Sequence, residues 1–205
     1  MYLIRWLYEK HFYTSDQNGE IVLTRIFGRW TVTVDGCAQT RNEYGPAMWR
    51  DAFEKLSAVT YVPRLRRVLL LGLAGGGALP IIYAVIPECV ITAVEHDSSM
   101  VEIAHKMKTY KPFPPPRIII GDAYDVLSGL KETYDLIIID LFRGSEPAPL
   151  LVQDRFLKCV REHLSPQGVI LTNVFRRADY KAVMSRFFKQ AKMWRFRANE
   201  LGAFR

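Results

Sequence analysis

The stretch RVLLLGLAGGGA, residues 67–78, decides how this chain is read. Its first half is a short apolar run closed by Gly72, the pattern of a strand buried on both faces. Its second half, Gly72-Leu73-Ala74-Gly75-Gly76-Gly77, is a strand-to-helix turn, where missing side chains let a ligand touch the backbone at a helix N-terminus. Working outward, Val68 to Pro87 contains no charged residue and is long enough to cross a bilayer. The glycines at its centre, with Pro80 and Pro87, make it strand, turn and helix instead.

Further apolar runs follow: VITAVE at 90–95, RIIIG at 117–121, YDLIIID at 134–140 and GVILTNV at 168–174. Helical patterns separate them. Met100, Ile103, Ala104 and Met107 share one stripe behind a Ser99/Glu102 capping-box pattern. Phe156, Leu157, Val160 and Leu164 form another, and Asp179 can cap a third carrying Tyr180, Val183, Met184, Phe187 and Phe188. Doubly apolar strands alternating with amphipathic helices predict an α/β, doubly wound, Rossmann-like and mostly parallel sheet. In front, residues 20–39 alternate apolar and polar around Phe27-Gly28-Arg29 and end on Asp35-Gly36, a β-hairpin or short meander. Met48, Trp49, Ala52, Phe53 and Leu56 then mark a helix starting near Pro46. The expected organisation is a β-hairpin unit over 1–45 and a nucleoside-binding domain over 46–205.

The chain has 205 residues, 49% of them hydrophobic and 24% charged, which excludes disorder and low complexity. A chain this long buries roughly 70% of its surface on folding, enough for one good core. Cys37, Cys89 and Cys159 are scattered without CxxC spacing and cannot all pair, which fits a reducing compartment. Residues 1–10 carry Arg5, Glu9 and Lys10 and lack an apolar signal segment, so the expectation is a cytoplasmic protein with no membrane association.

In doubly wound folds ligands sit at the carboxyl ends of the strands beside the topological switch point. After the second parallel strand comes Glu95, 19 residues beyond Gly76, where a carboxylate can accept both hydroxyls of a ribose. Ala74 replaces the second glycine of a dinucleotide fingerprint, so a nucleoside without phosphates fits better than a nicotinamide dinucleotide. Asp122 beside the Ala123 N–H suits an adenine edge, the plainer alternative being a helix N-cap. Asp140 ends a run too apolar to want a charge, and a carboxylate there can hold or deprotonate an acceptor.

The series VLLLGLAGGGAL, VEHD, GDA, YDLIIID and LSPQGVILTN resembles the class I S-adenosylmethionine-dependent methyltransferase fold. Within it the chain most resembles the spermidine synthase (polyamine aminopropyltransferase) family. Asp35-Gly36-Cys37-Ala38-Gln39 matches that family's DGxxQ segment, and Pro147-Ala148 stands at its Pro-Ala spacing after Asp140. The resemblance implies that Gln39, Gly72, Ala74, Gly76, Glu95, Asp122, Ala123 and Asp140 serve a site for decarboxylated S-adenosylmethionine or methylthioadenosine, with no metal. Glu95 would hold the ribose, Asp122 and Ala123 the adenine, and Asp140 would be catalytic. It also implies a homodimer paired through the N-terminal β units.

The chain departs from the family at the acceptor end. The family reads Asp-x-x-Asp-Pro after the fourth strand, whereas here Arg143 takes the place of the second carboxylate. A guanidinium opposes a dicationic acceptor by like-charge repulsion and suits an acidic group. Arg143 and Glu43 are therefore the candidate substrate-binding residues. The expected tyrosine after the Gln-containing strand is out of register, with only Tyr44 nearby. Two alternatives to aminopropyl transfer follow: methyl transfer from S-adenosylmethionine to a non-polyamine acceptor, or a non-catalytic relative. Only seven residues follow the sixth expected strand, Met193–Ala198, too few for a final hairpin, so the expectation is a reduced C-terminal edge or a truncated chain.

The formal net charge is +7, and residues 176–205 hold all of it, with nine basic against two acidic side chains. The plain account is a solvated face on one helix and one edge strand. The other is a surface for a polyanion such as a nucleic acid.

Overall fold

The structure is a computed structural model and describes residues 7–40, 44–111, 113–144, 146–175, 179–189 and 191–205. The N-terminal unit is an antiparallel sheet of β1 (Tyr8–Ser15), β2 (Gly19–Ile26), β3 (Arg29–Val34) and β4 (Cys37–Thr40), in that order. The hairpin or short meander expected over 20–39 is thus β2, β3 and β4 of a four-stranded meander that β1 begins. β1 escapes a periodicity search because its inward positions are Glu9, His11, Tyr13 and Ser15 instead of aliphatic residues. Phe27-Gly28 and Asp35-Gly36 both take positive φ at both positions, the type I′ geometry whose twist matches the flanking strands.

Helix α1 (Tyr44–Leu56) buries the expected stripe of Met48, Trp49, Ala52, Phe53 and Leu56. The alternating region then runs β5 (Arg67–Leu71), α2 (Leu79–Val85), β6 (Val90–Glu95), α3 (Ser98–Met107), β7 (Arg117–Ile120), α4 (Ala123–Gly129) and β8 (Tyr134–Ile139). A two-stranded ribbon of β9 (Phe142–Arg143) and β10 (Glu146–Pro147) precedes α5 (Asp154–Glu162), β11 (Leu164–Phe175) and α6 (Tyr180–Ser185). The chain ends in β12 (Ala191–Phe196) and β13 (Asn199–Phe204).

Seven strands form one sheet in the order β12-β13-β11-β8-β5-β6-β7. From β11 to β7 every pairing is parallel, while β13 runs antiparallel to both its neighbours. Strand order reverses between β5 and β8, so the switch point lies over Gly72 and Asp140. The uncharged stretch at 68–87 divides into β5, turn and α2, and no described helix is long and apolar enough to cross a membrane.

Each central strand is buried on both faces. Val68, Leu70, Leu136, Ile138 and Leu171 join the α1 and α2 side chains on one face. Leu69, Leu71, Ile137, Ile139 and Ile170 meet Phe156, Leu157 and Val160 of α5 on the other. The C-terminal edge is not reduced: Asn199–Phe204 inserts as β13 between β11 and β12 and buries Leu201, Ala203 and Phe204. Its sequence NELGAF has little β propensity of its own, and pairing on both sides imposes the strand.

The N-terminal sheet lies on α3. Ile21, Leu23, Val32 and Val34 form a small separate core with Met100 and Ile103. Beside it Asp97, rather than a Ser99/Glu102 box, caps α3 by accepting from the Ser99 N–H at 2.8 Å. The same carboxylate accepts from the Ser15 hydroxyl and from Asn18 Nδ2, the latter at 2.7 Å. One buried side chain therefore joins the β1–β2 turn to the helix. Burial opposes its ionisation, but the hydrogen bonds from Ser15, Asn18 and Ser99 outweigh burial and hold the carboxyl below the usual range.

Candidate functional site

A cleft of about 690 Å³ opens at the carboxyl ends of β5, β6, β7, β8 and β11, beneath the N-terminal sheet. That volume lies within the span of small-molecule sites. Gln39, Gly72, Ala74, Glu95, Asp122, Ala123 and Asp140 all line it. Gly76 lies just below the surface, in the turn that shapes it. Arg143, on β9, is exposed and not among the lining residues, and Glu43 lies outside the described residues.

The floor is built by backbone. Gly72 has φ +93°, and a Cβ there would fall on the Asp140 carbonyl oxygen; Gly76 has φ +74°, and a Cβ there would strike the Thr109 hydroxyl. Between them Ala74, at φ +46°, holds a left-handed conformation that costs a non-glycine residue. Glu95 explains how it is held, because Glu95 Oε2 accepts from the Leu73 N–H at 3.0 Å and the Ala74 N–H at 2.8 Å. Oε1 accepts from the Asp97 N–H at 3.0 Å. A carboxylate offers about four acceptor positions. Three are engaged by the main chain, so a ribose diol at Glu95 would take the remaining one and share another.

Asp122 takes the helix-cap role and also lines the cleft. Its Oδ1 caps α4, accepting from the Tyr124 N–H at 2.8 Å and the Asp125 N–H at 3.2 Å, while the residue still lines the cleft. Oδ2 takes part in neither bond. Arg155 also lines this end, its guanidinium 4.7 Å from the centre of the Tyr124 ring.

The opposite end is made of side chains. Asp140 follows β8 and is tied by its N–H to the Leu71 carbonyl at 2.8 Å. Asn173 Nδ2 donates to Asp140 Oδ1 at 2.8 Å. Desolvation at the cleft floor pushes the Asp140 carboxyl up to about 6; the Asn173 bond works against that rise and the Glu95 charge adds to it. Asn199 Nδ2 donates to Asn173 Oδ1 at 2.8 Å, and the Tyr44 hydroxyl donates to Asn199 Oδ1 at 2.6 Å. Gln39 Nε2 donates to the Gly144 carbonyl at 2.8 Å and so ties the N-terminal sheet to the β9–β10 turn. Phe142, Phe175, Pro46 and Trp49 complete the wall. Spacing points to neither Asn173 nor Asn199, and Tyr44 stands out only as the one tyrosine near the Gln-containing strand; Asn173 lies within the run GVILTNV that forms β11.

Among the described residues, no group of three or more His, Cys, Asp or Glu side chains stands together as a metal site. In the basic segment, Arg186 pairs with Asp154 and Arg195 with Glu200, while Lys181, Lys189 and Lys192 are exposed. Arg176 and Arg177 lie outside the described residues.

Comparison with known proteins agrees with this architecture. A polyamine aminopropyltransferase of Vibrio vulnificus is 30% identical over 144 residues, covering 65% of this chain and 48% of that protein. The eEF1A lysine and N-terminal methyltransferase of Homo sapiens is 32% identical over 120 residues, covering 52% of this chain and 17% of that protein. The chain thus spans about half the length of the first and far less of the second. Among solved structures, a spermidine synthase in complex with the transition state analogue AdoDATO superposes with a TM-score of 0.73 at 18% identity, covering 95% of this chain and 70% of that one. Human methyltransferase-like protein 13 in complex with SAH gives 0.67 at 22% identity, covering 77% and 81%. The spermine/spermidine synthase domain model matches residues 56–196, more than half of the chain and the whole of the cleft floor, and the chain belongs to that family.

Proposed function

We propose that this chain is a transferase that takes a carbon group from an S-adenosylmethionine-type nucleoside and hands it to a nucleophile deprotonated by Asp140. One observation carries the reading: Gly72, Glu95, Asp122 and Asp140, from four separate strand ends, line a single cleft. The nucleoside would lie along the Gly72–Ala74 turn with its ribose at Glu95 and its adenine at Asp122 and Ala123. The sulfonium makes its neighbouring carbon electrophilic. The acceptor lone pair forms the new bond to that carbon, the C–S pair returns to sulfur to leave a neutral thioether, and the acceptor proton passes to Asp140. Alignment supplies most of the acceleration and one carboxylate suffices as base. A carboxyl pushed up to about 6 is ionised at neutral pH and a stronger base than an ordinary carboxylate.

The leading form is aminopropyl transfer from decarboxylated S-adenosylmethionine. Methyl transfer is favoured by one specific observation: the acceptor end holds a single described carboxylate, Asp140, flanked by the amides of Asn173 and Asn199. Calorimetric titration with S-adenosylmethionine, its decarboxylated form, methylthioadenosine and NAD separates the cases. Preference for the decarboxylated form supports aminopropyl transfer, and preference for the carboxylated form supports methyl transfer. Absence of binding by all four defeats the nucleoside site. In the Asp140→Asn variant binding should persist while turnover falls at least about 100-fold. A variant that binds and turns over normally removes Asp140 from the reaction and leaves a non-catalytic or different role for it.

Two partner readings belong with this one. A second copy could pair on the N-terminal sheet, whose outer side exposes Tyr8, Phe12, Ile26 and Phe27. A polyanion could meet Lys181, Lys189 and Lys192, and loss of its binding on neutralising these together with Arg186 would locate that surface.

A further inference from the structure

We propose that Asn173, Asn199 and Tyr44 are positioning residues, forming one side-chain hydrogen-bond chain that aims the Asp140 carboxyl into the cleft and reverses its polarity when Asp140 takes up a proton. The inference rests on the transferase reading for the purpose of the chain, and on geometry alone for its existence.

The direction of the chain follows from what each group can do. An ionised carboxylate only accepts, so the Asn173 amide must turn its Nδ2 toward Asp140 and its Oδ1 away. Asn199 must then present its own Nδ2 to Asn173, leaving its Oδ1 for a donor, and the Tyr44 hydroxyl supplies the proton at 2.6 Å. Each amide orientation is thereby fixed by the next, from β8 through β11 and β13 to α1. Tyr44 itself is held in place. Its ring meets Phe196 edge-on with centroids 5.7 Å apart, and the Arg197 guanidinium lies 5.4 Å from its centre.

The same four groups also satisfy a protonated Asp140. The carboxylic acid would donate to Asn173 Oδ1 once that amide turns over, Asn173 would donate to Asn199, and Asn199 to the Tyr44 oxygen. The displaced hydroxyl hydrogen has a waiting acceptor, the Phe196 carbonyl 3.5 Å away. The chain ends on a group that can both give and accept, so neither state strands a buried polar atom. A base that must hold a proton for part of each cycle needs this property. The charged or ionisable side chains that line the cleft with Asp140 include Glu95, His96, Asp122, Asp125 and Arg155, and Arg197 lies beyond Tyr44. Glu95 acts on the carboxyl directly, by charge.

Carbon-13 NMR of aspartate-labelled protein, with the Asp140 signal assigned by its absence in Asp140→Asn, reads the chain without any activity assay. Asn173→Ala removes the donor that favours the ionised form, so the Asp140 midpoint should rise by about one pH unit, a tenfold gain in proton affinity. Tyr44→Phe keeps the ring packing and removes only the terminal hydroxyl, and should raise proton affinity roughly threefold, through two intervening amides. Methylthioadenosine affinity, measured on the same samples, should stay within about twofold of wild type, since none of the three side chains is assigned to the nucleoside end. Midpoints unmoved in both variants, with wild-type circular dichroism and melting, would overturn the chain; if Asn173→Ala does not fold, Tyr44→Phe decides alone. A wild type that binds no nucleoside but shows the shifts would sink the transferase reading and leave the chain standing.

Discussion

The two ends of the cleft are built from different material. At the end proposed for the nucleoside the fold does the work: Gly72 and Gly76 take positive φ, and the Glu95 carboxylate is gripped by the Leu73, Ala74 and Asp97 amides. At the end proposed for the acceptor the contacts run between side chains, from Tyr44 to Asn199 to Asn173 to Asp140, drawn from four elements far apart in the chain. A site made of main chain changes only if the fold changes. A site made of side chains can be rewritten one residue at a time, and the relatives this chain is similar to carry names for both aminopropyl and methyl transfer.

The contrast breaks most severely at Gly72. A Cβ there meets the Asp140 carbonyl, a backbone atom anchored in the next strand, and the positive φ adds strain of its own. Gly72→Ala should cost about 3 kcal/mol of stability or more and abolish nucleoside binding. Urea unfolding monitored by circular dichroism checks the first and calorimetry the second. Asn199→Ala, at the acceptor end, should cost about 1 kcal/mol by the same measurement, the worth of an ordinary side-chain hydrogen bond. Equal costs at the two positions would erase the distinction between a backbone-built and a side-chain-built end.

This difference also sets what can be read before folding. Glycines after a buried strand and carboxylates at strand ends are visible in one dimension, because each answers to a local requirement. So Gly72, Glu95, Asp122 and Asp140 could be named from spacing, and the parallel core from runs such as YDLIIID. The polar chain could not, since two asparagines and a tyrosine have no local signature and Tyr44 and Asn199 lie 155 positions apart. The same limit hid β1, whose inward side chains are polar, and β13, which becomes a strand through its neighbours. The Ser99/Glu102 pattern misled for a related reason: Asp97 caps α3 from two residues earlier while serving a contact to Ser15 and Asn18.

Acidification should separate the two ends next. Asp97 beside the nucleoside end has its carboxyl held low, so its contribution to stability is present above the unfolded value of about 3.9 and is lost as pH falls through the folded value below that. Asp140 is pushed up to about 6, so its fold prefers the protonated form, and the stability it lends below about pH 4 is lost as pH rises through 6. Between pH 7 and 5 the Asp140 carboxyl takes up its proton while Asp97 stays ionised, and kcat/KM should fall with an apparent midpoint near 6. Asp97→Asn should cost about 2 kcal/mol at neutral pH and flatten the stability loss at low pH. An Asp97→Asn protein with an unaltered acid transition would remove Asp97 as the tie between the N-terminal sheet and α3.

The smallest effect belongs to Arg143. Its side chain is exposed on β9, outside the cleft lining, so its charge reaches a bound acceptor only through screened solvent. Arg143→Asp restores a carboxylate at the family's position and, on this geometry, should raise affinity for a diamine only about threefold at low salt, with no effect at high salt. Titration of a diamine at two ionic strengths measures this. A gain of a hundredfold would mean that the β9–β10 turn, held by Gln39 through Gly144, swings Arg143 over the acceptor when substrate arrives, and the acceptor end would then be a polyamine site closed by one side chain. No gain at either salt would mean that position 143 does not meet the acceptor, and would leave Asp140 as the one described carboxylate at that end to hold a dication.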